Sequence, residues 1–285
     1  MKAKYPRFWT AGVLGLMLVA SGSLRAGSHL GPDNAGNTSL PPLAPAVDAA
    51  WGAYVAAAER RIAEELGARD RFLALDFAAN AAASRRTVMS GGMIIEPVTA
   101  TDSRGGRLQV PGSMTHHWRG AVLIPGATLD GVMNALRDGG VLGTSQEDVL
   151  QAKVLERAGD TMRVYLKLRR TKFVTAVFNT EHAVAFRRHG AGRSSSTSTA
   201  IKIAELRDPM TASEREVAAG DDRGFLWRWQ AWWRYEQVAG GVIAECESIS
   251  LSRDIPAVVR YMVRPLVERT ARESMERTLL TLKAI

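Results

Sequence analysis

The chain has 285 residues, of which 46% are hydrophobic and 23% are charged, and this composition is typical of a globular protein with a sizeable core. The formal net charge is +8, but Lys2, Lys4, Arg7 and Arg25 lie near the start without any acid, which leaves 8 − 4 = +4 for the rest. The remaining basic residues are scattered among acids rather than gathered in a stripe, which argues against nucleic-acid binding.

The start of the chain has the pattern of a secretory signal peptide. Basic residues precede an apolar run from Trp9 to Ala20, and small residues then lead to a cleavage motif that ends at Ala26. This run is shorter than the roughly 20 apolar residues that a membrane span needs, and an uncleaved anchor is the alternative interpretation. Residues 1–26 are therefore predicted to be removed, leaving a periplasmic or secreted protein with no stable membrane span.

A linker and two helical segments are predicted next. Residues 27–47 are rich in Gly, Pro, Asn and Ser and predict a flexible linker. Asp48 can cap a helix that ends at Gly67, and residues 70–90 hold a second, alanine-rich segment, so residues 48–90 form a helical N-terminal extension. Packing of the first helix against the main domain is predicted by apolar residues at helical spacing: Trp51, Tyr54, Val55, Ala58, Ile62 and Leu66.

The main domain, residues 91–285, is predicted to consist mostly of strands. These are placed at residues 93–95, 118–124, 149–157, 162–169, 173–180, 182–188 and 197–206, followed by a hairpin over residues 224–251. A short helix starts at Thr128 or Asp130. After Asp254 the remaining residues have a helical pattern, with a bend at Pro265.

The hairpin carries the strongest signal, because its first strand holds four of the seven tryptophans. Alternation places on one face the residues Phe225, Trp227, Trp229, Ala231, Trp233 and Tyr235. A turn at Ala239 and Gly240 would oppose Arg234 with Glu245, Trp233 with Cys246, and Tyr235 with Ala244. Large rings would then face small residues, which predicts a pocket, although plain core packing is the other interpretation of an inward aromatic row.

The order of these elements predicts an α+β fold, in which a curved antiparallel sheet buries one face under the long C-terminal helix, with an N-terminal helical extension. Over residues 105–285 this order resembles the START-like (SRPBCC, helix-grip) superfamily. The resemblance is carried by HHWRGAVLIPGATLD at 116–130, GDDRGFLWRWQAWWRYEQ at 220–237, ECESISLSRDIP at 245–256 and ARESMERTL at 271–279, which look like an uncharacterised exported bacterial branch. It implies an apolar cavity that binds lipids, sterols, quinones or polyketides, while some members of the superfamily are cyclases or hydrolases.

The candidate ligand-binding residues are those expected to line this cavity. They comprise the aromatic wall, its far side, the small residues opposite and two adaptable methionines: Trp118, Phe178, Trp227, Trp229, Trp233, Tyr235, Ala244, Cys246, Met262 and Met275. The leading hypothesis is an exported protein that binds or carries a hydrophobic small molecule, a lipid or an isoprenoid. It requires no cofactor, no metal and no catalytic residue.

Two other constellations invite comparison with catalytic or metal sites. His116 and His117 are adjacent, so on a strand they point to opposite faces and cannot share one metal ion without a distorted backbone. Glu245 and Glu247 share a strand face with Arg234, which favours a structural ion pair over acid–base catalysis.

Two further hypotheses stay open beside the carrier. One is a cyclase or hydrolase that uses His116 or His117 as acid or base in the cavity, and the other is a cell-envelope assembly factor that docks through the helix of residues 51–66. The single cysteine, Cys246, excludes an internal disulfide and is predicted to be a buried, inert thiol.

Overall fold

A computed structural model of the chain describes residues 39–138, 148–171, 175–254, 269 and 272–283. The helices are α1 (Pro45–Leu66), α2 (Ala81–Met89), α3 (Leu129–Asp138) and α4 (residues 272–283), and a short 3₁₀ helix spans Ala74–Phe77. The predicted signal peptide, most of the predicted linker and the candidate residue Met262 lie outside the described residues.

Nine strands are present in the described part of the chain: β1 (Met93–Pro97), β2 (Ser113–Pro125), β3 (Val149–Ala158), β4 (Thr161–Thr171), β5 (Thr175–Arg188), β6 (Arg193–Arg207), β7 (Arg215–Glu216), β8 (Arg228–Val238) and β9 (Gly241–Arg253). They form one sheet in the order β1-β2-β9-β8-β6-β5-β4-β3, with β7 paired to β6. Every pair of neighbouring strands is antiparallel.

Several strands extend beyond their predicted bounds, such as β2, which begins at Ser113, and three other differences from the sequence prediction have a local cause. The strands expected at 173–180 and 182–188 are the single strand β5, because its alternation continues through Glu181, and the register irregularity opposite Glu181 and His182 leaves Ile201 of β6 without a partner in β5. Helix α1 begins at Pro45, before the expected cap at Asp48, because proline fits the first turn of a helix. Ser39, expected in the flexible linker, exchanges backbone hydrogen bonds of 3.0 and 3.1 Å with the backbone of β6.

The two faces of the sheet bury different elements, which follows from the alternation of side chains along each strand. The inner face packs against α3 and α4 in one large apolar cluster, which includes Val122, Leu166, Phe178, Tyr235 and Leu279. The outer face packs against α1 and the 3₁₀ helix in two smaller clusters. The curved antiparallel sheet with a C-terminal helix on one face confirms the fold class predicted from the sequence.

Helix α1 uses its apolar stripe to cover the outer face. Trp51, Tyr54 and Ile62 are buried in a cluster with Trp232 and Ile249 of the sheet. This stripe is therefore occupied within the molecule, and the assembly-factor hypothesis loses the docking surface on which it was based.

Close approach of α4 to the sheet depends on a glycine in β2. A Cβ atom at Gly120 would lie 2.7 Å from Leu279 Cδ1 and 3.0 Å from Met275 Cγ, closer than carbon atoms pack in a relaxed core. The absence of a side chain at this position lets Met275 and Leu279 reach the inner face.

We expect Gly120→Ala to lower the free energy of unfolding by about 1–3 kcal/mol, because α4 must shift to admit the methyl group. Urea denaturation followed by circular dichroism measures the change. The control is Gly52→Ala in α1, where nothing lies within 4 Å of the added Cβ, and a gain of about 0.5–1 kcal/mol is expected there. Equal stability of Gly120→Ala and the parent protein would contradict this account of α4 docking.

Candidate ligand-binding site on the inner face of the sheet

The pairing of β8 with β9 has the register predicted from the sequence. The opposed pairs are Arg234 with Glu245, Trp233 with Cys246, and Tyr235 with Ala244. Gly240 is at the turn with a φ of 86°, a backbone conformation that glycine adopts readily. Since successive side chains alternate, this register sends the rings to the inner face and the charged residues to the outer face.

An aromatic row runs along the inner face of β8. Trp229, Trp233 and Tyr235 are all buried in the inner cluster, and Trp233 and Tyr235 are stacked with a centroid distance of 6.1 Å and an interplanar angle of 5°. The neighbouring strand β9 presents Cys246 and Ala244 to them. Large rings on one strand therefore lie beside small side chains on the next, as the sequence predicted.

Most of the other candidate residues share this face. Phe178 of β5 and Met275 of α4 belong to the same cluster as the aromatic row, together with Ala244 and Cys246, and the partly buried Trp118 of β2 packs against it. Burial raises the pKa of the Cys246 thiol well above its usual value, and the two neighbouring glutamates act in the same direction, so the thiol is inert as predicted.

Trp227 is the exception, because it packs against the outer cluster while Leu226 is buried on the inner face. The N–H of Trp227 donates to the carbonyl of Leu251 at 2.8 Å, although the register partner of Leu251 is Arg228. Two residues thus oppose one, and this irregularity reverses the alternation before the strand proper begins. Phe225 also departs from the predicted row, and it is 44% exposed.

A histidine that the sequence prediction missed lies beside the aromatic row. His182 of β5 is 3% exposed, and its ring meets that of Trp229 edge to face at a centroid distance of 4.8 Å. Its Nε2 lies 3.1 Å from Thr180 Oγ1, and its Nδ1 lies 3.4 Å from Ser198 Oγ. Burial, assisted by the charge of Arg170, lowers the pKa of His182 to about 3, so this imidazole is neutral at physiological pH.

Arg170 brings a positive charge to the same face. Its guanidinium carbon lies 5.7 Å from the ring centroid of Trp229, and its Nη2 is buried with no hydrogen-bond partner among the described residues. Burial lowers the pKa of Arg170 to about 10, while the charge of Asp148 opposes the change, so the group stays cationic at neutral pH. The signal was present in the sequence, since Arg170 continues the inward row of Leu166 and Leu168.

The outer face holds a chain of hydrogen bonds that ties α1 to the sheet. The N–H of Ala100 donates to Tyr54 Oη at 3.2 Å, and Tyr54 Oη lies 3.0 Å from His117 Nδ1. On its other side, His117 Nε2 lies 2.7 Å from Glu247 Oε1, which also pairs with Arg61 of α1. Burial lowers the pKa of His117, so the neutral ring accepts from Tyr54 and donates to Glu247.

Glu247 is held as a carboxylate in this buried chain. Although burial opposes ionisation, its hydrogen bond with His117 and the charges of Arg61 and Arg119 lower the pKa of Glu247 to about 2. All of its partners belong to the outer face or to α1. Its role is therefore structural, as the sequence analysis favoured.

Arg234 and Glu245 lie on the same outer face, but each makes shorter contacts with other residues than the two make with each other. Arg234 pairs with Glu65 of α1 and donates to the carbonyl of Phe72 at 2.9 Å, whereas its Nε lies 4.0 Å from Glu245. Glu245 accepts the N–H groups of Ala74 and Leu75 at 2.7 and 2.8 Å. Both charges thus hold the N-terminal segment on the sheet.

The predicted separation of the two adjacent histidines is confirmed. His117 enters the outer hydrogen-bond chain, whereas His116 Nε2 lies 3.3 Å from Ser252 Oγ. Across the described ranges of the chain, no group of three or more His, Cys, Asp or Glu side chains is placed to hold a metal ion.

A cleft of about 310 Å³ lies on the outer side, between α1 and the strands β6 and β8. It contains a hydrogen bond of 2.8 Å between Ser195 Oγ and His189 Nε2. No carboxylate of the described residues hydrogen-bonds to the other ring nitrogen, so the pair lacks the third group that orients a catalytic histidine.

Comparison with known proteins gives structural similarity only. No protein-family model and no curated protein matches the chain. A STAR-related lipid transfer protein from Xanthomonas axonopodis is 19% identical, with a TM-score of 0.44, over 66% of this chain and 97% of that one. Human StAR-related lipid transfer protein 5 is 14% identical, with a TM-score of 0.42, over 83% of this chain and 96% of that one. An aromatase/cyclase from Streptomyces is 13% identical, with a TM-score of 0.36, over 60% of this chain and 93% of that one.

At TM-scores this low, the similarities do not by themselves establish a common fold. The fold is defined by the strand order and by the helix on the inner face, and these give the chain the helix-grip architecture predicted from the sequence. Within the ranges that the structure describes, no helix is both long and apolar enough to cross a bilayer.

The low pKa of His182 predicts acid sensitivity. The folded protein keeps the ring neutral down to about pH 3, whereas the unfolded chain binds a proton below its ordinary pKa of 6.5, so this contribution to stability is complete above pH 6.5 and is lost as the pH falls. Two pH units below 6.5, His182 alone should lower the free energy of unfolding by about 3 kcal/mol.

Urea denaturation of the parent protein and of His182→Leu, at pH 6.5 or above and again two pH units below 6.5, measures this effect. The variant should lose the His182 part of the pH dependence and keep the parts due to His117 and Glu247, whose depressed pKa values act in the same direction. An identical pH dependence in the two proteins would show that His182 is not held neutral in the folded state.

Proposed function

We propose that this protein binds or carries a hydrophobic small molecule, a lipid or an isoprenoid, on the inner face of its sheet, and that it does so after export from the cytoplasm. The observation that carries the proposal is the buried row of Trp229, Trp233 and Tyr235 beside the small residues Ala244 and Cys246. Export is supported by the signal-like pattern at the start of the chain.

Apolar surface is the main requirement of such a site. Ligand pockets are mostly lined by hydrophobic and aromatic side chains, with a few polar groups that orient the guest. The inner face has this composition, since the aromatic row, Phe178 and Met275 are accompanied by polar groups that include Arg170 and His182. The resemblance of the sequence to START-like proteins points to the same class of ligand.

Binding without chemistry fits the inner face better than catalysis does. His117 lies on the outer face, bonded to Glu247. His182 lies on the inner face, but a group with a pKa of about 3 is a weak general base at neutral pH. The cyclase or hydrolase hypothesis therefore keeps only His116 of the two residues on which it was based.

The test measures binding of a fatty acid, a sterol and a long-chain isoprenoid to the purified protein. Tryptophan fluorescence and native mass spectrometry detect the bound probe. We expect at least one of them to bind. Cys246→Phe should weaken that binding about tenfold or more, because the larger ring competes with the ligand for the surface of Trp233, the cross-strand neighbour of Cys246.

The matched control is Ala185→Phe in β5, where the side chain is exposed on the outer face, and binding should be unchanged. Circular dichroism and urea denaturation of both variants establish that they are folded at the working temperature. The proposal fails if no probe binds and no apolar species is extracted from protein purified from its own host.

A further inference from the structure

We propose that the ligand of the inner face is a carboxylic-acid amphiphile, whose carboxylate is bound by the guanidinium of Arg170. This inference rests on the proposed function and specifies the chemistry of the ligand's polar end. The observation that carries it is the buried Nη2 of Arg170, which has no hydrogen-bond partner in the described part of the protein.

The position of Arg170 in β4 directs its side chain onto the inner face of the sheet. In β4 it has the same parity as Leu166 and Leu168, which are buried in the inner cluster. Its guanidinium lies against Trp229 of β8, although β5 and β6 separate β4 from β8 in the sheet. The side chain therefore crosses the inner face rather than following the surface of its own strand.

The surroundings of the guanidinium satisfy it only in part. The face of the Trp229 ring offers a cation–π contact, and the charge of Asp148 offsets part of the positive charge. A buried N–H without an acceptor nevertheless costs free energy, and a charged donor costs more than a neutral one. Native proteins rarely leave such a group unsatisfied, which indicates that an acceptor arrives with a ligand.

A carboxylate matches this donor better than other acceptors. Arginine binds carboxylates through parallel N–H···O bonds, and these charge-assisted bonds are among the strongest in proteins. The neighbouring His182 is neutral, and both of its ring nitrogens already face the hydroxyl groups of Thr180 and Ser198. The site thus supplies one positive charge, which suits a monoanion, and the aromatic row supplies an apolar surface for the chain that the carboxylate carries.

Isothermal titration calorimetry with oleate and methyl oleate tests the inference, because the two probes share a chain and differ in charge. The parent protein should bind oleate about 10- to 100-fold more tightly than its methyl ester, the range expected for hydrogen bonds to a charged group. Arg170→Met removes the guanidinium and keeps an apolar stem, so it should abolish this preference by weakening oleate binding alone.

The control is Arg163→Met, in the same strand but with its side chain on the exposed outer side near Glu156 and Glu181, and the preference for oleate should persist. Binding of methyl oleate by Arg170→Met shows that the variant is folded. If it does not fold, equal affinity of the parent protein for the two probes still overturns the inference.

The outcomes separate this inference from the proposed function. Equal affinity of the parent protein for oleate and methyl oleate, or a preference that survives Arg170→Met, overturns the carboxylate inference and leaves apolar binding intact. Failure of every apolar probe to bind, with no apolar species extracted from protein purified from its own host, removes the proposed function itself. A third probe, oleoyl lysophosphatidic acid, carries a phosphate on the same chain. If it binds more tightly than oleate and Arg170→Met weakens its binding, the carboxylate inference is overturned and the polar end of the ligand is a phosphate.

Discussion

The pairing of β8 with β9 is the constraint on which the rest of the structure depends. Its register places Trp233 beside Cys246 on the inner face, and Arg234 opposite Glu245 on the outer face. Because side chains alternate with a period of two, a slip of one residue would exchange the faces and bury charges against α4. The inner site and the outer attachment of α1 are thus consequences of one hairpin register.

The outer face shows how buried charge fixes the N-terminal segment in place. Glu245, Glu247 and Arg234 would be exposed on a bare sheet, yet each is less than 5% exposed because α1 and the 3₁₀ helix cover it. Removing one partner of such a buried pair leaves an uncompensated charge, which typically costs about 3–5 kcal/mol. The N-terminal helices are therefore part of what makes this sheet stable, and they cover its outer face.

The inner face is not uniform, and this asymmetry gives the proposed ligand an orientation. Trp233 and Tyr235 stack on each other beside uncharged side chains, while Trp229 has charged and titratable neighbours, since Arg170 and His182 both contact its ring. Leaving water for the surface of Trp233 and Tyr235 stabilises an apolar chain, and a polar end can accept a hydrogen bond from Arg170 beside Trp229. Amphiphiles fit this arrangement better than hydrocarbons without a polar group.

Local sequence was sufficient for the fold class, the register of the hairpin and the inward position of Trp229, Trp233 and Tyr235, because alternation and a glycine turn are properties of neighbouring residues. It failed at Trp227, where an irregularity outside the strand reversed the alternation. Contacts between distant segments, such as Arg170 with Trp229 or Glu65 with Arg234, were decided only by the tertiary structure. They join strands and helices that are far apart in the chain, and the pattern of each segment alone carries no information about which partner it will meet.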